Sequence, residues 1–457
     1  MRSKKNKVLK EMKDKTNTRK NRRVAIEQLV NVVNGKTNTR KNKKTTLKQL
    51  LTHPLGQANY LKSICSQSGV CIAFGQEQEK IRQLFRNFID FSLVSKRPKR
   101  IGNPSANGFV YEIPFDINGY HADTILKSSS SADADNLLYE FLVGNYINNE
   151  FLSFFPCLVE TYGLFQYTNP KAFLNAFTKN QLSHLLVNLK YIPDVKYSQV
   201  VNSCENPVQY CVLIQHLKDA ISIKDYVLGM KKQGERDLIY MLFQIYFFLH
   251  TTQDFFTHYD LHYGNVLVYE PVKGKKIRYT YTLENRHVFT FDSPYLPKII
   301  DYGRCYTPKN MGLYMAVCQT PSCDPDCGKE LGYQWFVNDY PENTENYITS
   351  LFPNNSHDLR LYNMVRYLIE KRNFDSIMQR KMRKCMYRER YGTPPVAMVD
   401  SNPDYICNVT DCYNDLVKTM DYIHTELDPS KTPDKNLLAH IRVYPGTSRP
   451  MSVDYLQ

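Results

Sequence analysis

The run Thr257-His258-Tyr259-Asp260-Leu261-His262-Tyr263-Gly264-Asn265, followed by Val266-Leu267-Val268 and further on by Lys298-Ile299-Ile300-Asp301-Tyr302-Gly303, constrains this chain more than any other feature. An acid, an amide and a second acid each stand at the end of a short apolar stretch of strand character. Two such strands pair as a hairpin, which brings Asn265 and Asp301 together although 35 residues lie between them. Polar groups gathered at strand ends, on a scaffold of buried strands, are the layout of a site.

The rest of the chain bounds what surrounds that site. Its 457 residues are 42% hydrophobic and 13% aromatic, the composition of a globular protein with a large core. The formal charge of +14 is confined to one end. Residues 1–50 carry 17 Lys and Arg against Glu11, Asp14 and Glu27, and the remainder balances at 42 of each sign. Residues 15–35 (KTNTRKNRRVAIEQLVNVVNG) and 36–56 (KTNTRKNKKTTLKQLLTHPLG) are two copies of a 21-residue repeat. Stacked repeats need three or more copies, so residues 1–56 read as an appended basic arm. Such an arm seeks nucleic acid or another polyanion in a salt-dependent way, or serves as a solvated tail or nuclear address.

The first 30 residues lack the apolar core of a signal peptide, and the chain is expected not to be secreted. Its 12 Cys are expected as reduced thiols in a cytoplasm or nucleus. The longest apolar stretch, Leu238–Leu249, is interrupted by Gln244 and too short to span a bilayer, so no membrane partner is expected. Cys305, Cys318, Cys323 and Cys327 form the one cysteine cluster; its irregular spacing favours ordinary loop thiols over zinc ligands.

Residues 77–94 carry Ile81, Leu84, Phe85, Phe88 and Ile89 at helical spacing, within a helical linker region at 57–99. Strand patterns begin near residue 100: Gly108–Ile113, Ala122–Lys127, then a helix over Asp135–Asn148 and a strand at Cys211–Ile214. Ser222 is placed to cap a short helix, and Asp237–His250 reads as a helix buried nearly all round. Between the two halves of the site, Glu270–Pro297 contains KKIRYTYTL and HVFTF, an extended hairpin expected as a surface elaboration, with substrate recognition as its other reading.

The segments H-Y-D-L-H-Y-G-N and D-Y-G resemble the catalytic motifs of the protein-kinase superfamily, over roughly residues 100–425. With D-Y-G-R and the later S-H-D-L-R-L, they also look like the divergent serine/threonine-kinase-like proteins of large DNA viruses. The resemblance implies an α+β, bilobal fold over 100–457, with a small β-rich lobe at about 100–217 and a larger helical lobe at about 218–457. It implies ATP and Mg²⁺ as cofactors, a protein substrate, and a host cytoplasm, nucleus or virion as the location.

By the same resemblance, Asp260 would face the acceptor hydroxyl, and Asn265 and Asp301 would hold the metal. Lys127 would touch the nucleotide phosphates and Glu140 would pair with it. Gly108 would lie in the loop over the phosphates, His258 would support the loop structurally, and Asp358 would brace it from beneath. This chain departs from the family pattern at several points. Tyr259 replaces the motif Arg, so control through a phosphorylated activation loop is not expected. His262 stands where most protein kinases carry Lys, only Gly108 remains of three glycines, and no A-P-E lies between Gly303 and Asp358. The D-L-H-x-G-N loop is also the style of phosphotransferases acting on aminoglycosides and choline. The alternatives to a serine/threonine-protein kinase are therefore a small-molecule phosphotransferase and an inactive scaffold tethered to nucleic acid by its arm.

Overall fold

The computed structural model describes residues 78–105, 108–117, 119–129, 136–179, 181, 185–195, 209–308, 333–336, 345–348, 353–372, 375–385, 403–426 and 436–456. The chain divides into two units, Met1–Ser63 and Ile64–Gln457. The basic arm, its repeats, Cys318, Cys323 and Cys327 all lie outside the described residues. The second unit is a mixed α and β structure.

Its first sheet has six strands: β1 (Lys99–Ser105), β2 (Gly108–Ile117), β3 (Tyr120–Ser129), β4 (Thr161–Tyr167), β5 (Leu189–Ile192) and β6 (Tyr210–Gln215), in the order β1-β2-β3-β6-β4-β5. Every described pairing in it is antiparallel. In β2, Phe109, Tyr111, Ile113 and Phe115 alternate into the core, the period expected of a strand. Along one side runs the segment that begins with α1 (Gln78–Leu84). The sequence predicts one helix over 77–94, but α1 stops at Leu84 and Arg86, Asn87 and Phe88 take φ of 54°, 56° and 58°. Packing overrides helical spacing here. The turn lays Phe88 on Tyr162, with ring centroids 4.1 Å apart, and places Phe91 against Phe115 and Phe165.

The helix α2 (Asn136–Glu150) packs against β3, β4 and β6. Two features dock it. Asn148 presents its amide to the Thr161 backbone, accepting from the N–H at 3.1 Å and donating to the carbonyl at 2.5 Å. Gly144 lies so near β4 that a Cβ on it would stand 2.1 Å from Thr161 Oγ1 and 2.8 Å from Thr161 Cβ. A further helix, α3 (Pro170–Lys179), closes on β2, where Tyr111 Oη donates to the Ala176 carbonyl and Phe109 meets Phe173.

The chain then passes through β7 (Ile221–Ser222) into α4 (Ile223–Gly229), capped by Ser222 Oγ accepting from Asp225 N at 3.1 Å. The helix α5 (Gly234–Thr252) is apolar on nearly every face and forms the centre of this half. After it come β8 (Val266–Tyr269), β9 (Lys276–Thr282), β10 (Val288–Ser293) and β11 (Leu296–Ile299). β11, β8 and β7 make a three-stranded antiparallel sheet, with Lys298 opposite Leu267 and Ile299 opposite Val266. Past the short antiparallel pair β12 (Tyr333–Phe336) and β13 (Glu345–Ile348) stand α6 (Leu359–Glu370) and α7 (Ile377–Lys381). β14 (Lys384–Cys385) pairs in parallel with β15 (Tyr405–Ile406), and α8 (Val409–Glu426) packs on α5. The last strands are β16 (Leu437–Val443) and β17 (Ser452–Tyr455).

The insert between the two halves of the site is not a surface elaboration. Its strands β9 and β10 join β16 and β17 in a four-stranded sheet, with β16 parallel to β9. Ile277, Tyr279, Tyr281, Phe289 and Phe291 are buried, and Tyr281 meets Phe243 and Phe247 of α5 edge-on. Alternation marks the strands in the sequence, but the partner covering their apolar face comes from α5 and the chain's C-terminal part, which no local pattern reveals.

The close approach of α2 to β4 generates a stability prediction. Gly144→Ala forces a methyl against the short, stiff side chain of Thr161 and is expected to destabilise the protein by about 1–3 kcal/mol. Urea denaturation with fluorescence readout measures this; an unchanged midpoint would mean that α2 sits farther from β4 than described.

Candidate active site

Lys127 lies two residues before the end of β3, α2 carries Glu140 one turn after its start, and Asp301 follows β11 by two residues. These three residues, far apart in sequence, meet. Lys127 Nζ lies 2.7 Å from Glu140 Oε1 and 3.2 Å from Asp301 Oδ1. Burial alone would lower the Lys127 pKa, but Asp301 and Glu140 together outweigh it and hold the ammonium above its ordinary value. Lys127 in turn keeps Asp301 below the usual carboxylate range. Glu140 is the deepest of the three, with 7% of its side chain exposed, and burial pushes it upward. Asp301 keeps 46% exposed, so part of its carboxylate stays accessible.

The segment from Thr257 to Asn265 forms a loop between α5 and β8. Two of its backbone N–H groups, those of His258 and Tyr259, donate to the Asp358 carboxylate at 2.7 and 3.0 Å. Asp358 is 2% exposed, and burial raises its pKa to about 7 against the opposing pull of those two donors. The residue immediately precedes α6, yet its side chain makes no capping bond to that helix. Its carboxylate is spent on the loop, which excludes the plain role of a helix-end acid. Tyr259, held this way, has φ of 61°, and Asp301 has φ of 69°. A non-glycine residue held in the left-handed region costs energy that surrounding contacts must supply.

His258 links the loop to the Asp301 strand. Its Nδ1 accepts from Asp260 N at 3.3 Å, so the proton sits on Nε2, which donates to the Ile300 carbonyl at 3.0 Å. Burial lowers the pKa of this ring, in keeping with a neutral imidazole of structural use. Asn265 closes the loop: its Nδ2 donates to the Asp260 carbonyl at 2.9 Å, and its carbonyl accepts from Ile300 N at 3.0 Å. Asp260 itself is 7% exposed. Burial raises its pKa, while Arg304 and Arg360 pull it down.

Gly108 opens β2 opposite Ser105, with φ of 144°, a conformation that favours glycine. Residues 106–107 lie outside the described residues. Arg360 is a site residue that the sequence pattern does not single out. Its guanidinium Nη1 donates to Asp260 Oδ1 at 2.9 Å from the first turn of α6. The signal was in S-H-D-L-R-L, two positions after Asp358, but helical spacing alone does not distinguish an inward Arg from a solvated one.

The implied metal site can be tested on donor chemistry. Asn265 has its amide nitrogen committed to Asp260, which leaves Oδ1 as the free donor oxygen, and Asp301 offers an accessible carboxylate. Among the described residues no group of three His, Cys, Asp or Glu side chains could hold a metal. One amide and one carboxylate oxygen fit Mg²⁺, which keeps waters and phosphate oxygens as its other ligands. Of the cysteine cluster only Cys305 is among the described residues, and it is a buried thiol whose pKa burial pushes well up. No helix among the described residues is long and apolar enough to cross a membrane. No family model and no curated protein matches the chain.

Asp358 yields the prediction of this section. Asp358→Ala leaves the His258 and Tyr259 N–H groups buried without their acceptor, at an expected cost of about 3–5 kcal/mol. Asp358→Asn keeps one acceptor oxygen and is expected to lose less. Amide exchange at His258 and Tyr259 should accelerate in both variants; protection unchanged from wild type would remove Asp358 from its place under the loop.

Proposed function

We propose that this chain is an ATP- and Mg²⁺-dependent phosphotransferase of bilobal, protein-kinase-like fold, acting on Ser or Thr hydroxyls of proteins. The observation that carries the reading is the meeting of Lys127, Glu140 and Asp301, drawn from two sheets and a helix, beside a loop that displays Asp260 and Asn265. In this reading the six-stranded sheet with α2 is the smaller lobe, and the part built around α5 is the larger.

Lys127, fixed by Glu140, would bind the nucleotide phosphates. Asn265 and Asp301 would hold Mg²⁺, which would neutralise charge on the phosphates when bound. Asp260 would orient the acceptor hydroxyl and take its proton as the oxygen attacks the γ-phosphorus and the bond to ADP breaks. Catalysis would come mainly from position and charge, since the transition state is loose and highly charged. A small-molecule acceptor is the second reading, favoured by the loop order Asp260-Leu261-His262-Tyr263-Gly264-Asn265.

The assay is transfer of radiolabelled phosphate from ATP to the protein itself, to a basic and an acidic protein, and to an aminoglycoside and choline. Asp260→Asn is expected to lower turnover by roughly 10³-fold with nucleotide binding retained. Asp301→Ala is expected to abolish the thermal shift given by Mg·ATP. Turnover of Asp260→Asn near wild type would sink the assignment, and labelling of the small acceptors alone would select the second reading.

The basic arm supports a separate proposal, contact with nucleic acid or another polyanion through residues 1–56. A protein lacking these residues is expected to elute from heparin at much lower salt than the full chain, because Lys and Arg contacts act through counterion release. Co-elution of the two would reduce the arm to a passive tail.

A further inference from the structure

Phosphoryl transfer at Asp260 needs positive charge beside the reacting atoms, and the loop carrying Asp260 supplies none. His262 Nδ1 accepts the Gly264 N–H at 2.9 Å, so that nitrogen carries a lone pair and the ring is neutral. Its Nε2 stands 3.9 Å from Asp260 Oδ1, beyond hydrogen-bond reach. Lys127 is committed to Glu140 and Asp301. Two arginines from outside the loop approach Asp260 instead, and they differ in kind.

Arg360 Nη1 is 2.9 Å from Oδ1, in a pair whose side chains are 9% and 10% exposed. It stands two residues after Asp358, so the start of α6 holds the loop's backbone through one residue and its key carboxylate through the other. Arg304 Nη1 is 4.0 Å from Oδ2 and its side chain is 21% exposed. Anchors flank Arg304 on both sides. The Tyr302 hydroxyl donates to the Ile299 carbonyl at 3.0 Å and receives Val159 N at 2.8 Å, while Tyr139 Oη donates to the Cys305 carbonyl at 2.5 Å. Among the described residues Oδ2 accepts no hydrogen bond within normal range. Oδ1 is thus held, and Oδ2 is the oxygen left to receive a proton.

We propose that these two arginines divide the cationic work at the site: Arg360 is the positioning residue that fixes Asp260, and Arg304 pairs with the phosphoryl group in transit. The proposal rests on the phosphotransferase reading. The hydroxyl oxygen forms its bond to phosphorus, the bond to the departing ADP breaks with its electron pair, and the hydroxyl proton passes to Oδ2. Arg304, at the edge of Oδ2, meets the phosphoryl oxygens with a planar fork suited to them.

The test compares wild type with Arg360→Ala, Arg360→Lys, Arg304→Ala and His262→Asn for kcat, KM for ATP and the Mg·ATP thermal shift. His262→Asn retains an acceptor for the Gly264 N–H. Arg360→Ala is expected to lose about 10²-fold in kcat, the scale of a misplaced reacting group, with KM for ATP little changed. Free guanidinium should restore part of that loss, and Arg360→Lys, which keeps the buried charge, should fold and fall between. Arg304→Ala is expected to lose roughly 10³-fold in kcat, as for removal of a cation from the transferring group. His262→Asn should stay within about fivefold of wild type, since a neutral side chain replaces a neutral one. Near-wild-type kcat in Arg360→Ala, or a loss in His262→Asn matching that in Arg304→Ala, would overturn the proposal while leaving the phosphotransferase reading intact. An inert wild type would overturn both, and Asp260→Asn as active as wild type would overturn the underlying reading directly.

Discussion

The buried carboxylate of Asp358 is the contact on which the rest of the site depends. Two buried backbone N–H groups of the loop find no backbone carbonyl among the described residues, and an unpaired buried donor costs about 1–3 kcal/mol. Asp358 satisfies both, at 2.7 and 3.0 Å. That pairing stabilises the left-handed turn at Tyr259, with φ of 61°, and the turn presents Asp260. The acid is itself anchored from behind. Tyr246 of α5 donates its hydroxyl to the Asp358 carbonyl at 3.0 Å and receives Tyr362 N of α6 at 3.1 Å. The conformation of the loop therefore rests on the hold that Tyr246 of α5 keeps on the start of α6.

Much of this was legible in the sequence because the relevant groups lie at the ends of strongly patterned elements. Lys127 lies near the end of an alternating strand, Asn265 precedes a strand, Asp301 follows one, and Asp358 opens a helix with a clear apolar stripe. The pairing of Lys127 with Glu140 is what the resemblance to the kinase motifs implied, and the two side chains meet at 2.7 Å. The failures share a cause. Residues 77–94 carry helical spacing, yet stacking of Phe88 on Tyr162 outweighs the lost helical hydrogen bonds. The strands of the insert read correctly as strands, but their burial depends on β16, about 160 positions later in the chain, as the pairing of His440 with Arg278 illustrates. Arg360 is not legible in the sequence because an arginine on a helix is solvated far more often than buried, and only the position of Asp260 makes the buried state favourable.

The charges at the site form two separate groups, and the separation has a physical consequence. Lys127 neutralises Asp301 and Glu140 on one side, and Arg360 with Arg304 flanks Asp260 on the other. Each acid that is removed from water has a cation within reach, as burial of charge requires. The arrangement is asymmetric, however. Glu140 and Asp260 are almost wholly enclosed, whereas Asp301 keeps 46% of its side chain exposed. The accessible carboxylate is the one that can accept a cation from solution without first breaking a buried pair.

The insert between β8 and β11 explains how the two groups keep their spacing. β8 and β11 carry Asn265 and Asp301 at adjacent ends, so any slip in their register would separate the amide from the acid by a residue's rise of about 3.4 Å and turn alternate side chains to the other face. A tight turn would fix that register through the turn alone. Here the connection is long, and the register is held instead by what it is attached to. β9 pairs with β16 and the hairpin's apolar face packs on α5, Arg278 and Asp292 form a two-bonded pair across the hairpin at 2.8 Å each, and Tyr279 Oη reaches the Tyr295 carbonyl just before β11. At the other end, Lys298 donates to the Leu158 carbonyl at 2.8 Å and Ile299 N to that of Cys157, also at 2.8 Å. The strand leading to Asp301 is thereby fixed to the segment preceding β4, the strand on which α2 docks through Asn148. The distance from Glu140 to Asp301 is in this way set by backbone contacts on both sides, and the 2.7 and 3.2 Å contacts of Lys127 complete a geometry that those contacts already impose.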